Sequence, residues 1–161
     1  MKAAIVYHTK TGHTERAAED IAAGLRDAGV DAQLIHASDL DDGHLADAAI
    51  VVVGSPCHAG SCRLRGGLSG PVRALLKRLG KGSLAGKVGG AFAVNYAYGG
   101  HVTVGAIEKA LRGAGARVPA PGVVVKAGVP LSLYEGPKAS PDAREALRQL
   151  GQALAAAIEA G

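Results

Sequence analysis

The sequence has few aromatic residues, few cysteines and no long apolar run. It contains four Tyr, one Phe and no Trp, so the position of each aromatic side chain is informative. Its two cysteines are too few for the disulfide framework of a small secreted protein. No apolar segment reaches the length of a membrane-spanning helix, and the run at Ala3–Tyr7 is too short for a signal peptide. We therefore expect a cytoplasmic protein with no membrane span.

The charge is mildly positive and unevenly distributed. The chain has 18 Lys and Arg against 14 Asp and Glu, a net charge of +4. Acidic residues concentrate between Asp39 and Asp47, and basic residues between Arg63 and Lys87. A basic run is most simply a solvated helix face, but it also suits docking of an acidic partner or of the phosphates of NADPH. No aromatic residue interleaves the basic ones, which argues against nucleic acid as a partner.

The order of apolar segments predicts an α/β fold in one domain, residues 1–161. Five short segments predict strands at about 2–8, 30–36, 48–53, 87–94 and 117–125. The second is partly alternating, as in an edge strand, and Pro119 and Pro121 confine pairing of the last to its later part. Amphipathic segments between them predict helices at about 11–28, from 71, at 103–114 and from 140, and 38–47 is predicted as a polar loop. We expect an open five-stranded parallel sheet of order 2-1-3-4-5 with helices on both faces.

In such a sheet, ligands bind beyond the carboxyl ends of the strands, at the point where the strand order reverses. Three loops meet there. The first, 9–14, places hydroxyl groups around Gly12 at the start of a helix, where unpaired backbone N–H groups hold phosphate. The second begins at Gly54, and the third contains Tyr96 and Tyr98. A phosphate turn facing aromatic side chains suits a planar ring that carries a phosphate.

These three loops resemble those of the flavodoxin family. T-K-T-G-H-T at 9–14 resembles the FMN-phosphate signature, and G-S-P at 54–56 resembles the start of the second FMN loop. N-Y-A-Y-G-G at 95–100 is similar to the third loop of the flavodoxin domains of flavo-diiron proteins and of quinone-reductase relatives. The resemblance implies a flavodoxin-like three-layer sandwich and non-covalent FMN, with no metal. The cofactor-binding residues that it implies are Thr9, Lys10, Thr11, Gly12, His13, Thr14, Ser55, Pro56, Cys57, His58, Ala59, Gly60, Asn95, Tyr96, Ala97, Tyr98, Gly99 and Gly100.

The resemblance leaves two modes of electron transfer open. As a carrier, the protein passes electrons to or from a redox protein partner, and the basic segment suits a partner with an acidic surface. As an NAD(P)H:quinone oxidoreductase, it takes hydride from NAD(P)H and reduces a quinone at the same FMN. His101 is the candidate donor of a proton or hydrogen bond to that quinone.

A different chemistry is suggested by Cys57 and Arg63. C-H-A-G-S-C-R has the spacing of the loops of tyrosine phosphatases and arsenate reductases, in which a thiolate attacks an oxyanion. Against this reading, Leu64 stands where a hydroxyl activates the thiolate, and Pro56 removes an N–H. Cys57 and Cys62 as a redox pair are a further alternative.

Overall fold

The computed structural model describes residues 1–57, 67–95, 98–127 and 139–160. In these ranges, strands and helices alternate along the chain. The strands are β1 (Lys2–Tyr7), β2 (Asp31–His36), β3 (Ile50–Pro56), β4 (Val88–Asn95) and β5 (Val123–Lys126). The helices are α1 (His13–Asp27), α2 (Asp42–Asp47), α3 (Gly70–Arg78), α4 (Gly100–Gly113) and α5 (Pro141–Glu159).

The strands form one parallel sheet of order β2-β1-β3-β4-β5, which confirms the predicted fold class and strand order. The register aligns the strand ends. Tyr7 pairs with Gly54, and Pro56 pairs with Val94. The loops that follow β1, β3 and β4 therefore leave the sheet at one edge, the carboxyl edge. The opposite end, where all strands begin, is the amino edge.

Each face of the sheet has its own apolar core, because the strands are buried on both sides. On one face, residues of α1 and α5 pack on β1, β3 and β4, as in the cluster of Ile5, Ile21, Phe92, Leu147 and Leu154. On the other face, residues of α3 and α4 pack on the same strands, as in the cluster of Val6, Val53, Val72, Ile107 and Leu111. The predicted three-layer sandwich is confirmed.

Helices α1 and α5 approach each other through glycine. A Cβ on Gly24 would lie 2.0 Å from the carbonyl oxygen of Arg148, and one on Gly151 would lie 2.4 Å from that of Ile21. Ion pairs flank this contact, with Arg144 donating to both carboxylate oxygens of Asp20. This contact fixes α1, and thereby the turn that precedes it.

The element boundaries differ from the predicted ones in four places. The predicted loop 38–47 contains the six-residue α2, whose N-cap Asp41 accepts from the backbone N–H of His44 at 2.9 Å. Six residues are too few to show a helical period, so the pattern missed it. β3 continues to Pro56, α4 begins at Gly100, and β5 is only four residues long, with Arg117 forming an isolated bridge.

Among the described residues, no helix is both long and apolar enough to span a bilayer.

Candidate functional site at the carboxyl edge

The loop after β1 makes a left-handed turn into α1. Gly12 is the N-cap of α1 with φ of 81°, a conformation that costs a side-chain-bearing residue about 1–2 kcal/mol. The Gly12 N–H donates to Oγ1 of Thr9 at 2.9 Å, which closes the turn. In the described part of the chain, the N-cap residue of α1 is a glycine and contributes no side-chain hydrogen bond to the helix start. Its first N–H groups are therefore directed toward whatever occupies the concave side of the turn.

The other residues of this first loop differ in exposure. Lys10 and Thr11 are exposed, whereas Thr14 is buried. His13 is half-buried, and burial, followed by the charge of Arg16, lowers its pKa below the ordinary value. A neutral imidazole at the start of α1 adds no charge but keeps one N–H to donate to an anion.

The loop after β3 starts with a serine that faces inward. Ser55 is fully buried, and its Oγ accepts from the backbone N–H of Ser69 at 3.0 Å. This bond holds the start of α3 against the end of β3. Contact of Ser55 with a cofactor stays a prediction, because its side chain is used within the fold. His58, Ala59 and Gly60 lie outside the described residues, as do Cys62 and Arg63.

The loop after β4 presents one buried and one exposed polar residue. Asn95 is 3% exposed, and within the described part of the chain its Oδ1 has no hydrogen-bond partner. Tyr98 is 66% exposed. Gly99 caps α4 with φ of 92°, and Gly100 is closed in by Val124 and Asn95. Tyr96 and Ala97 lie outside the described residues.

Cys57 connects the second loop with the third. Its backbone N–H donates to Val94 O at 2.8 Å, and its Sγ lies 3.6 Å from the carbonyl oxygen of Tyr98. The side chain is 5% exposed. A thiol in this position supports the third loop, and it is not open to an external substrate as a phosphatase nucleophile has to be.

Two residues that border the site were not singled out from the sequence. The hydroxyl of Tyr7, at the end of β1, donates to Oε1 of Glu15 in the first turn of α1 at 2.8 Å. Burial, the bond to Glu15 and the charge of Glu15 raise the pKa of Tyr7 to about 12. A Tyr that ends a strand eight residues before a Glu gives no periodic signal, so only the folded geometry reveals the pair.

A cavity of ≈ 280 Å³ lies beside the first turn of α1, between α1, α5 and the sheet. Val94 and Val125 supply apolar lining, and His13 and the paired Asp20 and Arg144 supply polar lining. It shares His13 with the phosphate turn and therefore borders the predicted cofactor site.

The described residues fit FMN on three grounds. The turn at Gly12 leaves uncapped N–H groups for a phosphate. Buried polar atoms normally have a hydrogen-bond partner, and a hydroxyl or imide group of FMN can donate to the buried oxygen of Asn95. The exposed ring of Tyr98 lies at the same edge and offers a stacking surface. No group of three or more His, Cys, Asp or Glu in the described ranges is placed to hold a metal ion.

Comparison with a protein-family model identifies the chain over most of its length. The model described as flavodoxin matches residues 5–137. Among curated protein sequences, no relative matches the chain significantly.

Solved structures share the fold at low sequence identity. A flavodoxin from Streptococcus pneumonia TIGR4 superposes with a TM-score of 0.78 at 24% identity, over 98% of this chain and 99% of that one. A flavodoxin, WrbA-like protein from Agrobacterium tumefaciens gives 0.74 at 20% identity, over 99% and 98%. Rubredoxin oxygen:oxidoreductase from Desulfovibrio gigas gives 0.78 at 24% identity, but this chain spans only 36% of its length.

Proposed function

Because the chain belongs to the flavodoxin family, we propose that it transfers electrons through non-covalently bound FMN, as one domain comprising residues 1–161. Family membership implies FMN as the cofactor. The flavin supplies the redox chemistry when bound, and the protein supplies binding, orientation and tuning. We expect this activity in the cytoplasm.

The positions of the chain's own residues support the following proposed roles. The N–H groups at the start of α1, with the hydroxyls of Thr9, Thr11 and Thr14, hold the phosphate. Tyr98 stacks on the flavin ring and excludes water from it. The buried Oδ1 of Asn95 accepts a hydrogen bond from the cofactor.

One observation carries this proposal: in the described residues, the start of α1, to which its N-cap residue adds no side-chain hydrogen bond, and the unpaired oxygen of Asn95 lie at the same edge of the sheet, on the loops after β1 and β4 that flank the loop after β3. The first favours an anion and the second a hydrogen-bond donor, and FMN supplies both.

The test compares FMN with riboflavin, which has the same ring without the phosphate. We expect the apoprotein to bind FMN at least about tenfold more tightly, because each charge-assisted hydrogen bond contributes about 1.5–3 kcal/mol. Fluorescence titration measures both affinities. Equal affinity for the two flavins, or a purified protein that is colourless and binds neither, would reject the proposal.

The carrier and the enzyme differ in the molecule that approaches the flavin, which is a redox protein for the carrier and NAD(P)H or a quinone for the enzyme. For the carrier, we propose a redox protein with an acidic surface, because Lys10 and Lys126 are exposed at the carboxyl edge. The exposed His101, three residues after the exposed Tyr98, favours the second candidate, an NAD(P)H:quinone oxidoreductase in which His101 donates a hydrogen bond to the quinone.

A steady-state assay separates the two. Rapid NAD(P)H oxidation with a quinone and no added reductase supports the enzyme, and we then expect His101→Asn to lower kcat. Absence of turnover, together with fast reduction by a protein electron donor, supports the carrier.

A further inference from the structure

The cavity beside the first turn of α1 has no use in the electron transfer proposed above. Its volume is ≈ 280 Å³, close to the lower limit of about 300 Å³ for sites that hold small molecules. Among the described residues that line it, only His13 is also implied as a contact of FMN. The cavity therefore adjoins the predicted cofactor site without being part of it.

The floor of the cavity is an apolar part of the sheet. Val94 of β4 is paired in register with Val125 of β5, so their side chains stand side by side on one face. Ala127 lies on the same face, and its N–H donates to Asn95 O at 2.8 Å, which continues the pairing beyond the end of β5. The three lining residues are at most 4% exposed. A floor fixed by strand pairing suits a flat apolar ring.

Two helices form the sides of the cavity. Their backbones come into close contact at Gly24 and Gly151. Nearer the carboxyl edge, α1 and α5 are joined by side chains instead, since Arg144 donates to Oδ1 of Asp20 at 3.1 Å. The short side chain of Ala17 borders the space that remains and does not fill it. The cavity therefore results from the packing of two regular helices on the sheet.

The charged groups at the rim of the cavity balance each other. The cations among the described lining residues are Arg16 and Arg144. The carboxylates are Glu19 and Asp20, of which Asp20 is paired with Arg144. Burial, followed by the charge of Arg16, lowers the pKa of His13, so its imidazole is neutral at neutral pH. A charged ligand would give up its hydration without a net opposite charge to compensate, so the rim favours a neutral one.

One hydrogen-bond donor at the rim remains available to a ligand. Arg16 is exposed, and its guanidinium makes no hydrogen bond or ion pair within the described part of the chain. A guanidinium has N–H donors and no acceptor, so it suits a ligand with an acceptor such as a carbonyl oxygen. The floor, the rim and this donor together fit a neutral aromatic ring that carries a carbonyl group.

We propose that this cavity binds one small, neutral, aromatic carbonyl compound, with its ring on Val94 and Val125 and its oxygen toward Arg16. The site goes beyond the proposed electron transfer, because it holds a second molecule beside the cofactor. An aromatic carboxylate fits less well, because Glu19 and Asp20 lie at the same rim. An organic cation fits less well, because the two arginines lie there too.

The test compares three probes that share one ring system and differ in charge. They are 2-naphthamide, which is neutral, 2-naphthoate, which is an anion, and 2-naphthylmethylammonium, which is a cation. Each is titrated by calorimetry into protein saturated with FMN, so that the predicted cofactor site is occupied, and into protein without FMN. We expect 2-naphthamide to bind at least about threefold more tightly than either charged probe in both series.

Substitutions that reduce the cavity locate the bound probe. Ala17→Leu and Ala139→Leu each place a larger side chain at its lining and should weaken 2-naphthamide binding about tenfold. Ala139 precedes α5 and is half-buried, so its variant keeps the test valid if Ala17→Leu does not fold. The matched control is Ala143→Leu, which is half-buried against the same core but is not among the described lining residues. The control should change binding less than about twofold.

Four outcomes would overturn the proposal. A protein that binds none of the probes has only a packing gap at this position. Tighter binding of 2-naphthoate, or of the ammonium probe, would assign the cavity to another class of ligand. Equal losses in Ala139→Leu and Ala143→Leu would place the probe elsewhere. The visible spectrum reports bound flavin and the titration reports bound probe, so failure here is distinguished from failure of the proposed function.

Discussion

The first turn of α1 and the middle of the same helix both depend on glycine, for opposite physical reasons. At Gly12 a Cβ would meet nothing within 4 Å, and glycine is needed for its φ of 81°. At Gly24 the backbone is ordinary helix, and glycine is needed because a Cβ would lie 2.0 Å from Arg148 O. The open side of Gly12 leaves room for a ligand, whereas the space beside Gly24 is filled by the backbone of α5. We therefore expect a side chain at Gly12 to affect binding and one at Gly24 to affect stability.

The largest expected effect is at the packed position. Gly24→Ala forces α1 and α5 apart and should lower the free energy of unfolding by about 2–3 kcal/mol, because the obstructing atoms are backbone. Urea unfolding measures it. Gly105→Ala is the control, since a Cβ there meets nothing in the exposed face of α4 and should raise stability by about 0.5–1 kcal/mol. An unchanged midpoint for Gly24→Ala would show that the close contact is absent.

A smaller effect on stability, with a specific effect on binding, is expected at the open turn. Gly12→Ala should cost about 1–2 kcal/mol and weaken FMN binding about tenfold, because the N–H groups turn away from the phosphate. Gly29→Ala, at the other end of α1, is the matched control, with φ of 76° and equally open space. It should cost the same stability and leave FMN affinity unchanged. If both variants lose the same FMN affinity, the turn at Gly12 has no specific role in binding.

The next effect concerns the bond that joins β1 to the first turn of α1. Tyr7→Phe removes the hydrogen bond to Glu15 and should lower stability by about 1 kcal/mol at neutral pH. The pKa of Tyr7 is raised from 10.0 in the folded state, so its contribution is complete below about pH 10 and is lost as pH rises toward 12. Urea unfolding at several pH values checks this. The difference between wild type and Tyr7→Phe should shrink in that range, and a constant difference would contradict the assignment.

The smallest change in stability is expected for a substitution at the contact between the second and third loops. Cys57→Ala removes the thiol that faces Tyr98 O at 3.6 Å. A weak S–H donor at this distance contributes little to global stability, below about 1 kcal/mol. The third loop should nevertheless move relative to the flavin, so the visible spectrum of the bound FMN should shift. An identical spectrum would show that Cys57 does not position Tyr98.

Much of the fold can be predicted from the sequence, because the buried positions of a helix or strand place apolar residues at regular spacing along the chain. The unbroken apolar run Ala48–Val53 predicts a strand covered on both faces, and the spacing of Ala18, Ile21, Ala22 and Leu25 predicts the inner face of α1. The short helix α2 was not predicted, because six residues show no helical period, whereas the strand predicted at 117–125 is present in its later part as β5. The extension of β3 over Gly54–Pro56 was not predicted, because these residue types usually end strands. In the structure they nevertheless pair with β4.

The candidate site likewise contains parts that the sequence predicts and parts that only the fold reveals. The hydroxyl-rich turn at 9–14 is a local motif, and its chemistry follows from its residues alone. That Ser55 is turned inward onto Ser69, or that Cys57 faces Tyr98 O, depends on segments 14 and 41 residues apart in the chain. No local pattern encodes such a contact.

The sequence by itself determined the class of sheet, the hydroxyl-rich turn around Gly12 and the excess of positive charge, because each depends on residue type and local spacing. Only the tertiary structure decided where that charge lies. Helix α3 runs antiparallel to the strands, so Lys77, Arg78 and Lys81 end at the amino edge. The turn at Gly12 and these three exposed cations therefore lie at opposite ends of the strands.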